Sequence, residues 1–95
     1  MHVRFSHNAR VDLNKIHHYI QERNPAAAER VAAAIILLAY QLENFPFLGR
    51  PGRVAGTREI SIPKYPYFMV YTISEPYYVD IEAVLHGSQL YPPDG

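Results

Sequence analysis

Between Thr57 and Gly87 the chain keeps a two-residue beat longer than anywhere else, and prolines interrupt it twice, so the stretch reads as three strands joined by short turns. Ile60 and Ile62 alternate with Glu59 and Ser61. Pro63 and Pro66, which cannot donate a ladder hydrogen bond, mark the first turn. Tyr67, Met69, Tyr71 and Ile73 then share one side while Phe68, Val70 and Thr72 share the other. A strand that is apolar on both faces belongs in the middle of a sheet. Ser74-Glu75-Pro76 predicts the second turn. In the last strand Val79, Ile81, Ala83 and Leu85 fall on one side, with Tyr78, Asp80, Glu82, Val84 and His86 on the other. That alternation puts His86 on the polar face, at the strand's C-terminal end.

Upstream the period changes. His2 to Phe5 is a short candidate strand with Val3 and Phe5 on one face, and Ser6 is placed to cap a helix. From Ala9 the apolar residues Leu13, Ile16 and Ile20 form one stripe of that helix, which ends at Asn24-Pro25. The same pair opens a second helix, with Asn24 as cap and Pro25 at the first helical position. This helix, from Pro25 to about Asn44, carries the stripe Val31, Ile35, Leu38, Leu42 and Phe45. A second stripe, Ala33, Ile36, Leu37 and Tyr40, predicts a second neighbour, so the helix is expected between the first helix and the sheet. Pro46 stops it, and the connector from Phe47 to Gly56, with three glycines and one proline, predicts a loop. The tail from Ser88 to Gly95, with Pro92-Pro93, is expected to run extended and to dock through Leu90 and Tyr91.

A chain of 95 residues is expected to form a single domain spanning 1–95. It buries roughly 60–70% of its unfolded surface, enough for one core but not for a large internal cavity. Chemistry would therefore sit on the surface or in a shallow groove. The chain has no cysteine, no long apolar run and no basic-then-apolar N-terminal pattern, so the expectation is a cytoplasmic protein without membrane contact. Net charge is zero, yet residues 44–64 hold Arg50, Arg53, Arg58 and Lys64 against Glu59 alone, while 65–95 hold Glu75, Asp80, Glu82 and Asp94 without a lysine or arginine. That basic segment is either a polyanion contact or solvated surface. His17 and His18 point about 100° apart on a helix and lack a third ligand, so no metal site is expected; Glu22 or Asp12 are their expected partners. No cofactor motif occurs.

The segments DLNKIHHYI and NPAAAERV, the loop GRPGRVAGTREI, the strand start PYFMVY and the ending VLHGSQLYP, in this order and spacing, resemble the RelE/ParE toxins of bacterial type II toxin–antitoxin (plasmid stabilization) systems. The resemblance covers nearly the whole chain. It implies an α+β fold of order β-α-α-β-β-β, with an antiparallel sheet covered on one face by the helical hairpin. It also implies a cognate antitoxin, usually acidic, that folds along the toxin in a hetero-oligomer; the Arg50 to Lys64 region is its natural landing place. The eight tyrosines suit such interfaces.

Of the targets that the resemblance implies, ribosome-dependent mRNA cleavage is the expectation, with gyrase inhibition and a degenerate antitoxin-binding module as alternatives. RelE-like members cut mRNA in the ribosomal A site, whereas ParE-like members poison DNA gyrase without being enzymes; a degenerate module that only binds its antitoxin is the third reading. Metal-independent RNA cleavage needs a base for the 2′-hydroxyl, cations at the phosphate and an acid for the leaving oxygen. His86 suits base or acid, because imidazole titrates near working pH. Arg58, with Arg50 or Arg53, suits the phosphate, and Tyr91 suits stacking or proton transfer. Lys64 and Gln89 complete the RNA- or partner-binding candidates. Each has a structural alternative: His86 as a cap on the sheet edge or a partner of Glu82, Arg58 as an ion pair with Glu59 or Glu82, and Tyr91 as packing. Ser88 and Gln89 stand where an active RelE-like member would carry a basic residue.

Overall fold

The computed structural model describes residues 1–93; Asp94 and Gly95, the end of the tail expected to run extended, lie outside the described residues. The order of elements is β1 (His2–Phe5), α1 (His7–Gln21), α2 (Pro25–Gln41), β2 (Arg50–Pro51), β3 (Arg58–Ser61), β4 (Tyr67–Ser74) and β5 (Tyr78–His86). The strands form one sheet in the order β1-β5-β4-β3-β2, so the doubly apolar β4 is central, as its composition requires. The α+β class and the helical hairpin agree with the sequence. The sheet, however, is mixed rather than antiparallel, because β1 pairs with β5 in parallel, His2 opposite Tyr78 and Phe5 opposite Ile81. The helical hairpin between them supplies the long crossover that a parallel pair needs.

Both helix starts follow from their caps. Ser6 Oγ accepts the Ala9 amide at 3.0 Å and Asn24 Oδ1 accepts the Ala27 amide at 3.1 Å, each contact contributing about 1 kcal/mol. On α2, Val31, Ile35 and Leu38 are buried, with Leu42 just beyond the helix end. At about 1.5–3 kcal/mol for each fully buried aliphatic side chain, that single stripe suffices to hold the helix in place. Among the described residues, nothing buries the second stripe. Ile36, Leu37 and Tyr40 are exposed, as is Phe45. His18 pairs with Glu22 as expected, whereas His17 reaches across the hairpin to Glu29 at 3.0 Å.

Two departures matter for the site. The connector contains a two-residue strand, β2, in which Arg50 lies opposite Glu59. A β-bulge also interrupts β5: Val70 pairs with Ala83 but Tyr71 pairs with Ile81, leaving Glu82 without an opposite residue. The bulge shifts the alternation by one. Val84, expected on the polar side, is therefore buried together with Val79 and Ile81, and His86 turns to the helix-covered face opposite Tyr67. Side chains from the start of α1 satisfy the irregular edge. Ser6 Oγ donates to the Glu82 carbonyl at 3.1 Å, and Asp12 Oδ2 accepts the Val84 amide at 3.0 Å.

A forked pair ties β1 to β5. Arg4 Nε and Nη2 donate to the two oxygens of Asp80 at 2.7 and 3.1 Å, and Ser74 Oγ adds a third bond at 2.9 Å. The Arg4 bond, outweighing partial burial, holds the Asp80 carboxyl below its ordinary value of 3.8. The unfolded chain thus takes up the proton more readily. The contribution of this carboxylate is whole above 3.8 and disappears as pH falls through the lower folded value. Urea midpoints of Asp80→Asn and the parent should therefore differ at neutral pH and converge in acid; a constant gap would show that the pair does not respond to protonation.

Candidate functional site

A groove of about 490 Å³ lies at the end of the sheet where β5 finishes, between its open face and the turn after His86, and is lined by Arg50, Arg53, Tyr65, Phe68, His86 and Ser88. Its construction begins with Glu59. This carboxylate is only 2% exposed and is fixed from two directions: the Arg53 amide donates to Oε2 at 2.8 Å, while the Arg50 and Arg53 guanidiniums approach Oε1 at 3.4 and 3.3 Å. A buried carboxylate needs such partners, and their removal would leave it uncompensated. Glu59 thereby holds the loop after β2 against the sheet.

The tail closes the other side. Tyr91 packs edge-on against Phe68 with centroids 5.9 Å apart, and Arg53 lies over both rings, 5.0 Å from Phe68 and 5.8 Å from Tyr91. Arg53 also donates to the Tyr91 carbonyl at 3.3 Å. Tyr91 docks the tail as expected, but Leu90 is exposed and does not.

His86 forms the end wall. The Ser88 amide donates to its Nδ1 at 3.0 Å and Ser88 Oγ lies 2.7 Å from the same nitrogen. A neutral ring in this setting carries its proton on Nε2. The ring stands at 88° to Tyr67, 5.3 Å between centroids, and Gln89 Oε1 accepts the His86 amide at 2.7 Å. His86 thus caps the end of its strand by accepting the Ser88 amide, and does not partner Glu82, whose carboxylate meets Thr72 instead.

His86, Arg50, Arg53, Tyr91 and Gln89 come together at this end of the sheet. Arg58 does not. It pairs with Tyr71 four positions along β4 from the residue opposite His86, and its guanidinium is spent on the carbonyls of Gly49 and Phe47 and on the Phe47 ring at 5.2 Å. Neither Glu59 nor Glu82 pairs with it, because Glu59 points to the opposite face. Lys64 is also elsewhere, in a shallow cleft with Leu37 and Gln41 of α2. Sequence reading missed Glu59 as the organiser; the one carboxylate inside a run of four cations was its only signal.

Comparison with known proteins agrees with this architecture. A family model described as the ParE toxin of type II toxin–antitoxin system, parDE, matches residues 3–91. A Sinorhizobium fredii (strain NGR234) protein named "Putative toxin Y4kP" is 38% identical over 90 residues, covering 95% of this chain and 92% of that protein. Among solved structures, a chain of the chromosomal ParDE system from Pseudomonas aeruginosa superposes with a TM-score of 0.79 at 21% identity, covering 90% of this chain and 95% of the other. A chain of the RelBE2 toxin–antitoxin complex from Mycobacterium tuberculosis gives 0.67 at 31% identity, with the same coverage.

Proposed function

Because the chain belongs to the ParE toxin family of type II toxin–antitoxin systems, we propose that it arrests growth by binding rather than by cutting, with DNA gyrase as its target and a cognate antitoxin as its neutraliser. The toxin role itself follows from the family; the target is the proposal. One observation carries it. Both arginines beside His86 are already engaged with the buried Glu59, and Arg58 is held away on backbone carbonyls. Cleavage of RNA without a metal requires cations that can move onto the charge developing at phosphorus, within reach of the acid and the base. Here the two guanidiniums share one carboxylate, and Arg53 is further fixed between two rings. The Tyr91 ring rests on Phe68. That arrangement suits a rigid docking surface better than a nuclease centre.

In this reading residues 1–95 act as one toxin domain in the cytoplasm, assembled with the antitoxin until it is removed. His86, Arg50, Arg53, Tyr91 and Gln89 are then contact residues, while Arg58 supports the loop before β2. The test is induction of the toxin alone in bacteria, with mRNA 5′ ends mapped and nucleoid DNA examined for breaks in the same cultures. DNA breaks with intact messages are expected. New A-site cuts that vanish in His86→Ala would overturn the reading and restore ribosome-dependent cleavage with His86 as acid or base; growth unaffected by the toxin would leave only antitoxin binding.

A further inference from the structure

The exposed side of α2 has a spacing of its own. Ala26, Arg30, Ala33, Leu37 and Tyr40 recur at intervals of four, three, four and three residues, and all five are exposed. At about 100° per residue they form one stripe on the side of the helix opposite the buried Val31, Ile35 and Leu38. A seam with this spacing is the one through which two helices pack side by side, knobs into holes, crossing at about 20°. Leu37 and Tyr40 are 65% and 51% exposed, so one half of the seam is apolar surface left open to solvent. The cation in the other half is unengaged. Arg30 makes no ion pair and lies over no ring among the described residues, and the neighbouring carboxylate, Glu29, reaches across the hairpin to His17 instead.

The seam is complementary to itself when reversed. An antiparallel copy turned about the level of Ile35 sets position 37 opposite 33 and position 40 opposite 30. Each layer then joins unlike partners: Leu37 of one copy fills the space above Ala33 of the other, and the Arg30 guanidinium of one meets the Tyr40 ring of the other. Twofold symmetry makes both layers occur twice. A parallel copy would set Arg30 against Arg30 and Ala33 against Ala33, a repulsion and a gap. An acidic segment would find a single cation along the roughly 20 Å of the stripe. We propose that a second copy of this chain covers this face, α2 against α2 and antiparallel, when the toxin is free of its antitoxin. The inference stands whether the toxin stops gyrase or the ribosome.

Sedimentation velocity of the full chain from about 1 to 1,000 μM tests it. A monomer–dimer equilibrium is expected with a midpoint on the order of 100 μM, since a contact of four helical turns falls below the ~1,200 Å² of stable complexes. Leu37→Glu, at an exposed position, should leave the urea midpoint of the fold unchanged and abolish the dimer. Arg30→Ala should weaken it about tenfold, because the cation–ring layer is lost twice. The chain has no cysteine, so disulfide cross-linking reads the register: a mixture of Arg30→Cys and Tyr40→Cys proteins should cross-link, and neither protein alone should. A chain that stays monomeric throughout the range would overturn the proposal. Undiminished association of Leu37→Glu would overturn the face, and cross-linking of Arg30→Cys alone would overturn the antiparallel register.

Discussion

Tyr71→Ala should lower the unfolding free energy by about 3–5 kcal/mol, enough to leave a domain of this size largely unfolded. Tyr71 is among the largest fully buried side chains and sits on the central strand, so its loss leaves a cavity bordered on several sides. Its hydroxyl does a separate job. It accepts the Gly49 amide at 2.9 Å and donates to the Pro46 carbonyl at 2.7 Å, pinning the segment between α2 and β2 to the core. Tyr71→Phe removes only those bonds and should cost about 1–3 kcal/mol, since a buried amide is left without an acceptor. The closeness of that contact explains the glycine: a Cβ at position 49 would lie 2.7 Å from the Tyr71 hydroxyl and from the Glu59 carbonyl. Urea unfolding of the two variants separates packing from hydrogen bonding. A Tyr71→Phe midpoint equal to that of the parent would mean that the segment is held by something else.

The sequence shows the period of β4 plainly, because a strand packed on both faces has no alternative use for Tyr67 to Ile73. It shows the helix starts as well, since Ser6 and Asn24-Pro25 act locally. It does not show the bulge at Glu82. Nothing in Asp80-Ile81-Glu82-Ala83 breaks the alternation, and the extra residue is accommodated only because Ser6 and Asp12, more than seventy positions away, take up the loosened edge. His86 therefore changes faces for a nonlocal reason. The second apolar stripe of α2 misleads in the opposite direction: Leu37 and Tyr40 satisfy the periodicity of a buried helix while standing exposed. Periodicity registers what a face could bury, not what covers it. The candidate site was partly legible for the same reason. His86 and Tyr91 stand out through the resemblance carried by the ending VLHGSQLYP, whereas the separation of Arg58 from His86 depends on strand register, and the role of Glu59 depends on two arginines folding back on it.

Glu59→Gln should turn the groove between Arg50, Arg53 and His86 electropositive. The amide keeps the volume and its oxygen can still accept the Arg53 backbone N–H, but its amino group faces two guanidinium donors in a buried position, so the variant should lose about 1–3 kcal/mol. The charge change is not small at the surface. Two guanidiniums that shared one buried carboxylate would face solvent uncompensated, free to meet the phosphates of a nucleic acid. Affinity for a single-stranded RNA oligonucleotide should rise about tenfold at low salt, and the slope of log affinity against log salt should steepen by roughly one unit. Fluorescence anisotropy across a salt series measures both. If the parent already binds with the steeper slope, Glu59 does not mask the arginines, and the case for gyrase over RNA loses its main support. If only the variant does, the buried carboxylate is what keeps a toxin with four basic residues between Arg50 and Lys64 from behaving as a nucleic-acid binder.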